Sequence, residues 1–331
     1  MKLCIYSNES IENLKQTATK YFSPIKNFDT PPRPSLSMPF SKANMCKYFE
    51  VIPVKDKDVI NVIWMIPENL KKEYKNKPEG LITHLFGHEG KNSLLSLLKN
   101  EGYAINLMQM AEYEIDLFTL FITEIELTKY GFENYEKVLE IVFAYLRMLK
   151  SKEIPEWVYE ECKKIKETNF KFKENPKQCD YASELAEKMQ QYEDVQDIVV
   201  GDYLMEKYEP KRTKEILNQL QAENMMIIMK SKSFEGKTSL AEPYYNVKYN
   251  EMRIPDSILD KFENPSQNYM DRLDLPLKNE FIPNDLELIQ TELKEGPTKI
   301  QNKENSVVWV KEGSKFKIPK AIVFLKIFIN K

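Results

Sequence analysis

The sequence predicts an α+β fold, a layer sandwich in which several helices pack on one face of a mostly antiparallel sheet. Short runs rich in β-branched residues, FEVIPV at 49–54 and VINVIWMI at 59–66, predict strands. Apolar residues spaced three or four apart dominate from 134 to about 220 and predict helices. A strand pattern returns in NMMIIMKSKSF at 224–234. Strands therefore precede and follow the helical region, as expected of one α+β domain.

The other elements follow from the same two patterns. MKLCIYS at 1–7 predicts a short strand, and the segment after it predicts a helix that ends before Pro24. EIDLFTLFITEIEL at 114–127 is apolar on both alternating faces, which is typical of a strand inside a covered sheet. Helical patterns occur at 81–89, 93–101, 135–150, 155–173, 179–192 and 210–220.

Changes in composition divide the chain into five predicted segments. Residues 1–24 are expected to be the closing strand and helix of an incomplete domain, and 25–44, rich in proline and serine, an extended connector. Residues 45–235 are expected to form a complete domain and the only autonomous folding unit. Six prolines and weak periodicity predict an extended arm at 236–305. Residues 306–331 predict the opening hairpin of another incomplete domain, with its turn at Glu312 and Gly313.

Charge and cysteine usage narrow the classes of function. The chain has 48 basic and 51 acidic side chains and a net charge of -3, so no nucleic-acid partner is expected. No apolar run approaches the length of a membrane span, and the N-terminus becomes polar too early for a signal peptide. The four cysteines form no C-x-x-C pair, which favours free thiols. A cytoplasmic protein without a membrane partner is predicted.

The only two histidines lie four residues apart in HLFGHE. On a helix, His84 and His88 would share one face and could chelate a metal ion. A catalytic site also needs a general base, but Gly87 stands where the inverted zincin motif H-x-x-E-H has its glutamate, and Glu89 is rotated by about 100 degrees from His88. Three interpretations remain: histidines that line a helix end, a noncatalytic metal site, and a polar peptide-binding surface.

The stretch GHEGKNSLLSLLKNEGYAINL, beginning at Gly87, resembles the second domain of the insulin-degrading-enzyme branch of the pitrilysin (insulinase) family of inverzincin zinc metallopeptidases. In that family the segment GHEG-x-x-SLL is characteristic. Further similar segments follow in the order of the family: SKSFEGKT at 231–238, AEPYYNVKYN at 241–250, LPLKNEFIPNDLEL at 275–288 and KFKIPKA at 315–321. The resemblance covers nearly the whole chain.

The resemblance implies a metallopeptidase LuxS/MPP-like fold and four related domains that enclose a substrate chamber. This chain would span the end of the first domain, the second domain, the joining arm and the start of the third. The family's zinc ligands and catalytic glutamate belong to the first domain, before the equivalent of Met1. No catalytic residue, metal ligand or cofactor is therefore predicted here. The family is a zinc metalloendopeptidase family, and this chain alone is expected to be inactive.

The resemblance also implies an exosite that holds the N-terminal end of a peptide far from the scissile bond. It corresponds to nine residues of this sequence: His84, Gly87, Glu89, Gly90, Leu107, Met108, Gln109, Met110 and Ala111. A peptide would pair with the free backbone of the 107–111 strand, by β-augmentation, and Glu89 would meet its α-amino group. Gln109 and Met110 replace glycines expected in the strand, which narrows the groove or shifts its specificity.

The leading functional prediction is a noncatalytic middle segment of such an enzyme, forming chamber wall and exosite for peptides or small proteins. Its partners would be the substrate and the missing domains, or a separate catalytic chain. The alternative is a noncatalytic peptide-binding or scaffold subunit that partners an active chain. A truncated product without function is the third hypothesis.

Overall fold

A seven-stranded sheet forms the frame of the molecule. The computed structural model describes residues 2–31, 37–40, 45–112, 117–174, 176–288, 296–311, 313 and 318–328. In chain order the strands of this sheet are β1 (Lys47–Val51), β2 (Val59–Ile66), β3 (Ala104–Glu112), β4 (Thr119–Leu127), β5 (Met225–Lys230), β6 (Leu240–Ala241) and β7 (Lys248–Arg253). Their spatial order is β3-β4-β2-β5-β1-β7-β6, and only β1 and β5 run parallel. The predicted mostly antiparallel α+β sheet is confirmed.

The described residues form eleven α-helices, several of which cover one face of the sheet. They are α1 (Ile11–Phe22), α2 (Pro78–Phe86), α3 (Leu94–Asn100), α4 (Lys129–Glu133), α5 (Tyr135–Ser151), α6 (Glu156–Lys171), α7 (Gln178–Gln191), α8 (Asp197–Val200), α9 (Pro210–Asn218), α10 (Asp256–Glu263) and α11 (Gln267–Met270). The main core joins β2, β4 and β5 to α2, α3, α5 and α9, with Trp64 and Tyr145 fully buried inside it. Within the described part of the chain, no helix is long and apolar enough to cross a membrane.

The opposite face of the sheet is less completely covered. Residues of β2 alternate, so that Trp64 faces the helices while Ile63 and Met65 face the other side. A small cluster with Phe118 and Phe40 covers Met65 at one end of this second face. We call this second face the open face.

Residues 240–270 differ from the extended arm that was expected. The strands β6 and β7 continue the sheet beside β1, and α10 and α11 pack on α5. Ile254 and Ile258 are buried in the main core. The sequence did not predict β7, because KYNEMR has polar groups on both faces of the strand and so lacks the alternating apolar pattern. Pro255 precedes the first turn of α10, where a proline interrupts no helical hydrogen bond. The domain boundaries themselves stay a prediction.

Both ends of the described chain also differ from expectation. Residues 2–7 form no strand, since a strand needs a hydrogen-bonded neighbour and none pairs with them in the described ranges. The hairpin near 306 forms between β8 (Thr298–Lys303) and β9 (Ser306–Val310), so VVWV pairs with the segment before it. The expected turn is only partly described, because Glu312 lies outside the described residues. Residues 318–328 form no regular element.

Candidate functional site

One backbone edge of the strand β3 is unpaired within the described residues. It is the terminal strand of the sheet, and β4 is its only partner within the described residues. Its nine residues alternate between the two faces, with one irregularity between Ala104 and Asn106. The outward N–H and C=O groups of such a strand are free to bind another extended chain. This edge contains the 107–111 strand of the predicted exosite.

The C-terminus of α2 lies against the helix-facing side of β3. Gly87 caps α2, and its N–H donates to Thr83 O over 3.0 Å. A Cβ atom at Gly87 would lie 3.6 Å from Gln109 Cβ and 3.2 Å from Thr83 O. The Thr123 hydroxyl of β4 donates to Gln109 Oε1 over 2.5 Å and so fixes that side chain. The structure therefore brings Gly87 and Gln109, which are distant in sequence, into contact.

A buried tyrosine holds the last turn of α2. The hydroxyl of Tyr145, on α5, donates to Leu85 O over 2.8 Å, and the N–H of His88 donates to the same oxygen over 3.3 Å. The Tyr145 ring also makes an edge-to-face contact with Phe86. These contacts position the turn that carries His88. Sequence reasoning missed Tyr145 because its role depends on a tertiary contact that no local pattern encodes.

The two histidines adjoin one another but do not lie on one continuous helix. The helix α2 ends at Phe86, so the expectation of two imidazoles on adjacent helical turns is wrong, because Gly87 terminates the helix between them. The ring centroids are 5.7 Å apart and the planes cross at 77°. Both histidines are half-buried, and they line the end of α2 as the first of the three interpretations expected.

The turn after α2 closes on itself through His88. The backbone N–H of Gly90 donates to His88 Nδ1 over 2.9 Å, and a Cβ atom at Gly90 would lie 2.6 Å from His88 Cε1. The imidazole packs directly on the Gly90 backbone, so a larger residue at this position would displace the His88 ring. Since Nδ1 accepts a hydrogen bond, the neutral ring carries its proton on Nε2. Glu89, between these two residues, is exposed.

Burial favours the neutral form of both rings. It lowers the pKa of His84, and the nearby His88 lowers it further. Burial also lowers the pKa of His88, opposed by the carboxylates of Glu161 and Glu89. Both imidazoles are therefore neutral near pH 7 and present uncharged hydrogen-bonding groups beside β3.

These residues do not fit a catalytic zinc site. Such a site needs three protein ligands and an open position. No group of three histidine, cysteine, aspartate or glutamate side chains with suitable spacing occurs among the residues described. One imidazole nitrogen of His88 is already occupied by the Gly90 N–H, and Gly87 supplies no carboxylate. The chemistry that this donor set supports is hydrogen bonding to a ligand, without a step through a metal ion.

The nine predicted site residues divide between the two faces of the sheet. Leu107, Gln109 and Ala111 lie opposite Ile125, Thr123 and Phe121 of β4, which face the helices. Met108 and Met110 lie opposite Glu124 and Ile122 and face the open side. The histidine turn thus adjoins only one side of β3. The predicted residues flank one edge strand, although the sequence did not reveal the division.

Comparison with known proteins supports the resemblance. Residues 1–166 match the family model described as "Peptidase M16 inactive domain", and 170–331 match "Middle or third domain of peptidase_M16". Insulin-degrading enzyme of Bos taurus is 33% identical over 332 residues, covering 99% of this chain and 32% of the relative. Nardilysin of Homo sapiens is 32% identical, covering 98% and 28%. The chain spans about a third of the length of these curated relatives.

The fold agrees with a solved structure of the same group. The crystal structure of pitrilysin superposes with a TM-score of 0.80 and 22% identity, covering 94% of this chain and 33% of that one. The two family models meet within α6, so the seven-stranded sheet takes strands from both matched regions. One of the two models spans half of the sequence, and the inferred insulinase and pitrilysin kinship is thereby confirmed. The chain belongs to the M16 peptidase family.

Proposed function

We propose that this chain is a noncatalytic segment of an M16 metalloendopeptidase that binds one end of a peptide and forms part of the wall around the substrate. The observation that carries the proposal is the unpaired edge of β3 beside the neutral histidine turn. A peptide that adds to this edge gains main-chain hydrogen bonds that do not depend on its sequence.

The turn after α2 supplies groups suited to the end of such a peptide. Glu89 is an exposed carboxylate beside the neutral ring of His88. A free α-amino group is cationic near pH 7 and would be attracted by this carboxylate. Gly87 lies close to Gln109 on the helix-facing side of β3, so the turn that carries Glu89 adjoins this edge strand. The site therefore favours a peptide with a free N-terminus.

Exposed apolar side chains at both ends support packing against other parts of an M16 enzyme. No residue of α1 is buried, and Ile11 is 70% exposed. Near the other end, Phe324 is 92% and Leu325 82% exposed. Side chains of this kind mark interaction surfaces. The partners of these surfaces are either further domains or a separate catalytic chain. An H-x-x-E-H domain outside these residues would carry out the hydrolysis of peptides or small proteins.

The backbone pairing is tested with N-methylated peptides. The probe is a peptide with a free N-terminus, equal in length to the nine residues of β3 and labelled at its C-terminus. Its binding to the full chain is titrated by fluorescence anisotropy. One derivative carries methyl groups on every amide, and a second carries them on alternate amides only. The fully methylated peptide has no N–H group left to donate to β3 and should lose binding, whereas the second can turn its unmodified edge to β3 and should keep it. Equal binding of both derivatives would exclude β-augmentation.

The histidine turn is tested by substitution. His84→Ala with Glu89→Ala should weaken binding of the unmodified peptide, and N-acetylation of the peptide should remove the contribution of Glu89. The control is Glu251→Ala on β7, which removes a carboxylate, here paired with Lys47, near the opposite end of the sheet. Unchanged affinity in the double variant would refute the exosite. Zinc-dependent peptide hydrolysis by the pure chain, lost on replacing Glu89, would refute its noncatalytic role.

A further inference from the structure

We propose that the β3 edge selects peptides whose apolar side chains occupy alternate positions, because Met108 and Met110 present an apolar surface on the open face only. This inference rests on the proposed peptide binding and specifies the class of peptide. It concerns two methionines that lie on the side of β3 opposite to the histidine turn.

Met110 ends an apolar row that crosses the sheet. In register, Met110 of β3 lies opposite Ile122 of β4, Ile122 opposite Ile63 of β2, and Ile63 opposite Met226 of β5. Ile63 and Ile122 are 7% and 8% exposed, whereas Met110 is only half-buried. The row is therefore covered in the sheet interior and open at the edge. A strand added beside β3 would place one side chain at the end of this row.

Met108 supplies the second apolar position on the same face. It lies two residues from Met110 and is 53% exposed, so its side chain is available to a strand added beside β3. Residues two apart on an added strand share one face. Cross-strand neighbours lie about 5 Å apart at Cβ, close enough for an apolar side chain to cover each methionine.

The helix-facing side of β3 offers a different environment. Gln109 is bound to Thr123, and the end of α2 at Gly87 stands beside it. Leu107 is already buried and leaves little apolar surface exposed. Side chains of an added strand on this side meet an amide and a helix terminus, so small or polar residues fit best. The two faces together select an alternating pattern.

Methionine makes the preference broad in its choice of apolar residue. The unbranched thioether side chain adapts to partners of different shape. Leucine, isoleucine, methionine and phenylalanine are therefore all accepted beside Met108 and Met110. The selected class is defined by the spacing of apolar residues and not by one side chain.

The test compares two peptides of identical composition. One carries leucine at two alternate positions among serines, and the other carries the same leucines at adjacent positions. Because only the first can place both leucines on the open face, we expect it to bind about fivefold more tightly, as one additional cross-strand apolar pair predicts. Met108→Ser with Met110→Ser should reduce this ratio to about one.

The matched control is Met252→Ser, which removes a methionine of 39% exposure from β7 near the other end of the sheet. It should leave the ratio unchanged. Equal binding of the two peptides to the unmodified chain would overturn the selectivity while leaving the peptide site intact. Binding of neither peptide would overturn the proposed function together with this inference. A ratio that persists in the double methionine variant would also overturn it.

Discussion

The Tyr145→Phe substitution probes the contact that supports the histidine turn. It removes one oxygen atom, while the aromatic ring and its packing on Phe86 are retained. The lost hydrogen bond joins the tyrosine hydroxyl to Leu85 O over 2.8 Å in the buried core. Any change in stability therefore reports on this hydrogen bond and not on a cavity.

The magnitude follows from how completely Leu85 O loses its donors. Leaving a buried acceptor without a partner costs about 1–3 kcal/mol. The N–H of His88 still donates to the same oxygen over 3.3 Å, so the acceptor is only partly deprived. We expect the free energy of unfolding to fall by about 1–1.5 kcal/mol, in the lower part of that range. If about 0.7 kcal/mol of this loss weakens the turn in the conformation that binds the peptide, the peptide affinity falls about threefold.

Urea unfolding, followed by tryptophan fluorescence to which the buried Trp64 contributes, measures the first effect, and peptide titration measures the second. The control is Tyr159→Phe, since the Tyr159 hydroxyl donates to Met205 O over 2.7 Å in a different buried cluster. It should lose similar stability and leave peptide affinity unchanged. A loss below about 0.5 kcal/mol for Tyr145→Phe, as at an unconstrained surface position, would refute the reasoning.

Two further predictions concern glycines and histidines. Gly131→Ala should lower the free energy of unfolding by about 3 kcal/mol, because its Cβ would lie 1.9 Å from Tyr103 O. Gly80→Ala inside α2 meets no atom closer than 3.5 Å and should raise the free energy of unfolding by about 0.5–1 kcal/mol. Equal urea midpoints for the two variants would contradict this. In NMR titration the two imidazole signals should shift below pH 6.5, since burial lowers the pKa of both histidines. As the pH falls, the histidines of the unfolded chain bind protons before those of the folded chain. The stability present above about pH 6.5 is therefore lost as the pH falls to the folded-state pKa. Imidazole signals that titrate above pH 6.5 would contradict this prediction.

The sequence predicted most of the sheet and helices because their burial is periodic. The long helix α5 buries one continuous stripe, and β2 and β4 lie inside a covered sheet, so their patterns are strong. The sequence pattern gave wrong predictions where the pairing of one strand with another decides the structure. Residues 2–7 read as a strand but have no neighbour in the described ranges, and β7 reads as irregular but pairs with β1. Strand formation depends on a partner that a local pattern does not contain.

The candidate site was predicted as a set of residues but not as a geometry. The spacing of His84 and His88 indicated a helix, yet Gly87 ends α2 between them. Gly87 has φ near −82°, so its backbone does not require glycine, and its surroundings are set by Thr83 O, 3.2 Å from a Cβ built there, and by the approach of Gln109 at 3.6 Å. That approach depends on how α2 packs on β3. The division of β3 into a histidine side and a methionine side likewise follows from its register with β4, which the sequence does not state.

The two ends of the sheet differ in a way that favours β3 as the binding edge. Proteins protect exposed edge strands with short length, prolines or charges, since a long unprotected edge pairs with other chains. The far end is protected, because β6 has two residues and β7 carries Lys248, Glu251 and Arg253. The strand β3 has nine residues, AINLMQMAE, with neither lysine nor proline and with a single acid at its end. An edge strand this long and uncharged would pair with other chains and aggregate unless a binding partner occupies it. If so, placing a lysine at Met108 should abolish binding of the alternating peptide, whereas the same change at Met252 should not; equal binding to both variants would show that the edge is not used.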